Sequence, residues 1–273
     1  MRLINRAPSA LAGFVLGALP FVAVLAVYAI ASEMRRAENP ADKLLPSFVA
    51  MGDAFWTMAF VPETRSGDLL LWVDTFDSLG RLGAGMGVAL VIAVVLGIAI
   101  GFLPHARAAL SPFVASVSLI PPITILPILF IVFGLGEASK IMLIVLGTAP
   151  VMVRYLAQVV IDIPREQIIK AETLGASTWQ MVVRVVLPQV LPRLIQCLRL
   201  SLVPAWIFLI SAEAIASTSG LGYRIFLVRR YLAMDVILPY VFWITLLAFA
   251  IDRLLLMFSR RAFRWSHLEG QSL

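Results

Sequence analysis

Apolar residues run in long stretches along this chain, and the polar intervals between them are short. No charged residue falls between Arg6 and Glu33, between Arg81 and Arg107, or between Arg107 and Glu137. A helix needs about 20 mainly apolar residues to cross a hydrocarbon layer of roughly 30 Å, so each interval holds one span. Three further stretches carry only one or two charges: about 141–161 with Arg154, about 190–212 with Arg199, and about 237–258 with Asp252 and Arg253. The pattern predicts an all-α, polytopic membrane protein with about six transmembrane helices. Arg2 and Arg6 ahead of an apolar run resemble the start of a secretory signal. The uncharged run from Ala7 to Ser32, however, far exceeds a signal core of about 7–15 residues. Residues 1–32 are therefore expected to be a retained anchor helix.

Two polar intervals have a pattern of their own. In residues 33–77, Ser47 follows Pro46 and can cap a short helix with Phe48, Met51, Phe55 and Met58 on one face. Such a stripe packs against other elements or lies in the membrane interface. The second interval, 164–188, is a charged, helix-forming island between apolar stretches. Pro164 suits a helix start, and Gly175 can take the left-handed conformation that ends a helix. Ser177 and Gln180 have the spacing of a capping box. The island reads as helix, glycine turn, helix, presented at the membrane surface for a soluble partner. The chain thus divides into an anchor (1–32), an outer segment (33–77), a core (78–265) and a tail (266–273).

Composition agrees with the membrane reading: 61% of residues are hydrophobic and 14% charged, with a mean hydropathy of +0.96. Orientation follows from the basic residues near span ends. Arg2, Arg6, Arg107, Arg165, Lys170, Arg184, Arg193, Arg260, Arg261 and Arg264 fall on one side of a six-span chain. That side is expected to be the cytoplasm of a bacterial inner membrane, with both termini there. Arg224, Arg229 and Arg230 fall outside, against the trend. Basic residues scattered along the membrane face give no nucleic-acid surface.

Catalytic chemistry has little to build on. Cys197 is the only cysteine, His105 and His267 the only histidines, and no glycine-rich loop precedes a Lys-Ser or Lys-Thr pair. The chain is expected to be no enzyme, with no metal and no cofactor. Gly83, Gly85 and Gly87 open an apolar span and read as close helix packing. Charges in or beside spans are functional candidates because burying them in hydrocarbon is expensive. Glu213 is the sharpest, and it is expected to hydrogen-bond the 217–222 loop or to pair with Arg224. Arg154 and Arg199 can reach the inner surface, and Asp252 can pair with an arginine. Pro121, Pro122 and Pro127, then Pro150 and Pro204, interrupt three spans. Backbone groups freed by prolines must face protein or a water-filled space. Pro121, Pro122, Pro127, Pro204 and Glu213 are therefore candidates for translocation or gating.

Ala171, Leu174, Gly175, Ala176 and Ser177, followed by Leu187-Pro188, resemble the cytoplasmic signature loop of importer-type ABC transporter permeases. From about Thr75 to Trp265 the chain is most similar to the nitrate/sulfonate/taurine branch. Ser78-Leu79 with Arg81, Pro112, Pro121-Pro122, Leu126-Pro127, the run from Phe133 to Lys140, Ser219-Gly220-Leu221-Gly222-Tyr223 and Arg264-Trp265 match it in order. One departure stands out. The signature's Glu-Ala-Ala falls on Ile169-Lys170-Ala171, so its glutamate is absent, with Glu166 and Glu172 the nearby acids. The resemblance implies a type I importer fold and a homodimer of permease copies. It also implies ATP-binding cassette ATPase subunits gripping Glu166, Ile169, Lys170, Ala171, Glu172, Leu174, Gly175, Ala176 and Ser177. A periplasmic solute-binding protein would deliver a small anion such as a sulfonate, taurine or nitrate. The alternative is a secondary transporter or channel subunit without an ATPase. It calls for an internal repeat or a buried ion relay, and the sequence shows neither clearly.

Overall fold

A computed structural model describes residues 9–39, 42–64 and 66–265. The tail from 266 on, with His267, and Arg2 and Arg6 at the front lie outside the described residues. The described chain is helical with no strand: α1 (Ala10–Glu38), α2 (Phe48–Phe60), α3 (Leu70–Phe102), α4 (Pro104–Val117), α5 (Leu126–Phe133), α6 (Glu137–Ile161), α7 (Arg165–Thr173), α8 (Thr178–Met181), α9 (Leu187–Ala216), α10 (Leu221–Arg229) and α11 (Met234–Ala262). A π-helical segment, Val182–Val186, joins α8 to α9, so that Thr178–Ala216 is one long helical run.

Five helical runs are long and apolar enough to cross a membrane. The expected span between Arg107 and Glu137 is not a straight helix. It is broken into α4 and the Pro122–Phe133 stretch, bent by 82°. Pro121 and Pro122 lack the N–H groups that would continue α4, which turns into a 3-10 segment at Pro122–Ile125. This bent pair must nevertheless carry the chain across. Ideal Cβ atoms on Gly85, Gly97 and Gly101 of α3 would meet Ile144, Leu156 and Val160 of α6, with one constant sequence offset. α3 and α6 therefore run parallel and side by side, and α4–α5 returns from the end of one to the start of the other. Six passes result, one of them bent.

The α3–α6 seam is the centre of the bundle. Of the three alternate glycines only Gly85 packs; Gly83 and Gly87 have no neighbour within 4 Å of a Cβ position. The reason is helical geometry, since residues two apart point to different faces. Around the seam, Ala89, Ala93, Met152, Val153 and Leu156 join Val186 and Val190 of the α9 run in one buried cluster. A second cluster unites Leu71, Trp206, Leu209, Tyr240 and Ile244 from α3, α9 and α11.

α3 starts at Leu70, ahead of the apolar stretch, and its 33 residues extend roughly 50 Å. That is longer than the hydrocarbon layer, so its first turns, carrying Asp74, Asp77 and Arg81, form a polar end beyond it. α1 likewise runs past Ser32 to Glu38. None of its apolar window is buried against the rest of this chain. Its attachment lies at its end, where Tyr28 Oη donates to Pro46 O at 2.7 Å and Ser32 Oγ donates to Leu45 O at 2.9 Å. Ser47 caps α2 through Ala50 N–H. The α2 stripe packs: Phe48 meets Tyr28 of α1 and Phe55 meets Trp243 of α11, at centroid distances of 5.3 and 5.8 Å.

The glycine seam makes a direct prediction. A Cβ at Gly97 would lie 2.8 Å from Leu156 Cβ, whereas one at Gly83 meets nothing. Gly97→Leu should destabilise the purified protein by about 1–3 kcal/mol through overpacking, read as a lower melting temperature in detergent. Gly83→Leu should leave the melting temperature unchanged. Equal melting temperatures for the two variants would remove the seam from its central place.

Candidate functional site

Three features stand out, one at each end of the bundle and one between them. At the α3 N-terminal end, two carboxylates are wholly buried, Asp74 and Glu213. Glu213 accepts from Arg81 NH1 at 2.7 Å, Ser78 Oγ at 2.8 Å and Gly222 N–H at 2.8 Å. Asp74 accepts from Gly220 N–H at 2.9 Å, Arg224 Nε at 2.8 Å and Tyr240 Oη at 3.2 Å. Ser78 Oγ in turn accepts Leu221 N–H at 2.9 Å. Three successive backbone donors at the start of α10 are thus taken up by Asp74, Ser78 and Glu213. Negative charge there is favoured by the helix dipole as well.

The Ser219–Gly222 motif has a steric reason. Gly220 has φ +119°, and a Cβ on it would fall 2.5 Å from Glu213 Oε1 and 2.6 Å from Arg81 NH1. At Gly222 a Cβ would lie 2.9 Å from the Ile210 backbone. Arg81 completes the cluster: it bonds the Ser219 carbonyl at 2.8 Å and pairs with Glu137, which Lys140 Nζ also reaches at 2.8 Å. The expectation that Glu213 ties down the 217–222 loop is met through Gly222. The alternative, pairing with Arg224, is not found, because Arg224 belongs to Asp74. The family resemblance points to Ser78 and Arg81, and nothing in the sequence analysis points to Asp74. Their spacing of four and three places them on one helical face, which was the available signal.

The opposite end of the bundle carries the 164–188 island. α7 ends in a Schellman cap: Ala176 N–H donates to Ala171 O at 3.0 Å and Gly175 N–H to Glu172 O at 2.9 Å, with Gly175 at φ +78°. Ser177 and Gln180 then form the expected capping box. Glu166 sits in the first turn of α7 and Lys170 in its last, each favourable to the helix dipole. Ile169, Leu174 and Trp179 are exposed, Leu174 to 79% and Trp179 to 74%. Ile163 and Met181 are buried at the two ends of the element, anchoring it to the bundle.

Between these ends a cavity of about 310 Å³ lies where α6 and α9 meet the bend after α4. Pro122, Pro150 and Pro204 line it, together with Cys197 and Ser201. The structure thus brings Pro122 and Pro204 together. Pro121 sits at the bend and Pro127 in the first turn of α5. Glu213 belongs to the far cluster and does not line this cavity. Arg199 bonds Asp252 through two parallel contacts of 2.7 and 2.9 Å, so Asp252 finds its arginine. Arg154 is exposed, and its NH1 donates to Ser118 Oγ at 3.0 Å.

Residues 89–264 match the family model described as binding-protein-dependent transport system inner membrane component. The chain is 37% identical over 199 residues to the taurine transport system permease protein TauC of Escherichia coli (strain K12), covering 72% of each chain. It is 27% identical over 245 residues to the putative aliphatic sulfonates transport permease protein SsuC of the same organism, covering 90% of this chain and 89% of that one. A bicarbonate transport system permease protein, CmpB of Synechocystis sp., is 26% identical over 202 residues, 72% of this chain and 71% of that one. In fold the chain is similar to a chain of the inward-facing MetNI methionine ABC transporter, with a TM-score of 0.64 at 21% identity over 73% of this chain and 99% of that one. A six-pass bundle with one bent span and a capped, exposed helical element at one end thus belongs to the binding-protein-dependent transport family, as the permease subunit of an ABC importer.

Proposed function

We propose that two copies of this permease line a path for a small oxyanion and that the α7–Gly175–α8 element transmits ATP-driven motion to it. The observation that carries this reading is the exposure of Ile169, Leu174 and Trp179 on an element whose central turn is closed by a Schellman cap and a capping box. The backbone groups of its central turn are hydrogen-bonded locally, while its large apolar side chains lack cover. A soluble ATPase subunit covers them. Charged Glu166, Lys170 and Glu172 ring the contact and set its register. The distribution of basic residues supports a cytoplasmic position for this element and both termini, with the Asp74–Glu213 cluster outside, where a solute-binding protein docks. ATP hydrolysis belongs to the partner.

Relatives named for taurine, aliphatic sulfonates and bicarbonate all carry small oxyanions, and a sulfonate or similar anion fits this chain. Closure of two ATPase subunits draws the coupling elements together and shifts the path from inward- to outward-open. Reversing such an equilibrium from 1:99 to 99:1 requires about 5.5 kcal/mol of differential binding. The outer cluster resists that motion locally, so the α10 loop moves with α3 and α9 as one body.

The first test is topological. A cysteine placed at Ser177, with Cys197 replaced, should resist membrane-impermeant reagents in intact cells and react in inverted vesicles. Reaction from outside would reverse the orientation. Coupling is tested at Gly175, whose left-handed backbone strains any side chain by about 1 kcal/mol. Gly175→Leu should leave the permease in the membrane and sharply reduce ATPase association and uptake; full uptake would remove the coupling role. At the outer cluster, Glu213→Gln loses one of three accepted bonds and should cost about 1–3 kcal/mol. Glu213→Ala leaves Arg81 with one carboxylate fewer and should cost about 3–5 kcal/mol. Both are read as thermal stability of the complex, and Glu213→Gln should leave solute preference unchanged. A changed preference would place Glu213 on the path.

A further inference from the structure

A second pocket, of about 370 Å³, opens where the end of α1 and the start of α2 face the turn between α10 and α11. Its charged lining is Arg36, Asp42, Lys43 and Asp235. Asp42 is already committed: it accepts from Arg35 Nε at 2.5 Å and from Leu44 N–H at 2.9 Å. Together with Ser32 on Leu45 O and Tyr28 on Pro46 O, that pair fixes one wall to α1. The other three charges remain available. Among the described residues Arg36 has only a long contact to Glu33, 3.4 Å from NH1, which leaves its other N–H donors. Lys43 and Asp235 make no hydrogen bond or ion pair with any described residue. Opposite charges that line one pocket without pairing leave room for a group between them.

Both walls stand at the level of lipid headgroups. The uncharged run of α1 ends at Ser32, so Arg36 lies one turn beyond the hydrocarbon. Asp235 sits in the first turn of α11, and no further charge follows until Asp252. Tyr231 in the lining and Phe48, next to Ser47, are exposed, as aromatic residues at a membrane interface are. Apolar side chains continue inward from each wall. On α11, Phe242, Leu246 and Phe249 follow Asp235 at spacings of seven, four and three; on α1, Leu25 and Val22 lie eleven and fourteen residues before Arg36. These are helical repeats, so each set shares a face with its charge, and all of these apolar side chains are exposed.

We infer that this pocket holds the headgroup of a zwitterionic phospholipid of the phosphatidylethanolamine class. The phosphate sits on Arg36 and Lys43, the ammonium on Asp235, and the acyl chains along the exposed faces of α1 and α11. Arg36 offers a planar pair of donors to phosphate oxygens, and Lys43 adds a point charge. A primary ammonium donates hydrogen bonds to the Asp235 carboxylate, which a trimethylammonium cannot do. A glycerol headgroup brings the phosphate but leaves Asp235 without a cation. None of the lining residues belongs to the cavity between α6 and α9 or to the α7–α8 element. The lipid is therefore a partner additional to the solute and the ATPase.

Binding is read on the purified permease–ATPase complex, delipidated in detergent, by native mass spectrometry with added dioleoyl lipids. Phosphatidylethanolamine should bind at concentrations about 3- to 5-fold below those needed for phosphatidylglycerol or phosphatidylcholine, the margin of one exposed ion pair. Asp235→Asn should erase that preference. Arg36→Gln combined with Lys43→Gln should weaken phosphatidylethanolamine binding by about 10-fold. Arg229→Gln, outside the pocket, should leave it unchanged. Lys43 and Asp235 have no partner among the described residues, so their substitution removes no bond seen within the fold. Equal binding of the three lipids, or a preference that survives Asp235→Asn, overturns the assignment. A preference for phosphatidylglycerol shows a site for anionic lipid and overturns it as well. Glycerophosphoethanolamine, the headgroup without chains, should compete only at concentrations more than about 10-fold higher, because the buried methylenes are missing. Competition at equal concentration makes the pocket a site for a soluble zwitterion and overturns the lipid. Loss of solute-binding-protein association in the Arg36→Gln, Lys43→Gln variant, with lipid binding intact, gives the pocket to that protein instead.

Discussion

A carboxylate shut away from water must be met by a cation and by hydrogen-bond donors, and the meeting of Glu213 with Arg81 organises the outer half of this protein. Glu213 comes from α9 and Arg81 from α3; Glu137, on Arg81's other side, comes from α6. One guanidinium thus joins three helices that are far apart in sequence. The donors that complete the carboxylate's shell come from Ser78 and the α10 start, which draws a fourth helix into the cluster. Desolvating such groups costs several kcal/mol per ion. The arrangement is stable because nearly every lone pair is answered, and removing one partner is correspondingly damaging. What the cluster provides is a unique geometry for the α10 loop.

The rest of the bundle is held differently. Along α3 and α6 there are no ion pairs below Lys140 among the described residues, only glycines that admit Ile144, Leu156 and Val160 at close range. In hydrocarbon such packing carries association, since burying apolar surface against protein gains little over lipid. Helical regularity is interrupted elsewhere, at the 82° bend after α4 and at the π segment between α8 and α9. A π segment often marks a functional position. This one connects the exposed α7–α8 element directly to the helix that carries Pro204 and Glu213. The exposed element, the cavity wall and the outer cluster thus share one continuous helical run.

The amino-acid sequence by itself determined the local features. Apolar length set the membrane class, because hydrocarbon thickness leaves no other use for such runs. Ser47, Gly175 and the Ser177–Gln180 pair marked helix ends, because caps are made by residues a few positions apart. The α7–Gly175–α8 element was readable as a whole for the same reason. Only the tertiary structure decided how the polar residues inside the bundle are partnered. Asp74 and Arg224, Arg81 and Glu213, and Arg199 and Asp252 lie far apart in the chain, so no local pattern chooses among the possible pairs. Likewise, Pro121 and Pro122 announced an interruption without its angle. Gly83, Gly85 and Gly87 looked alike until α6 selected one of them, because a helix shows a neighbour only one face.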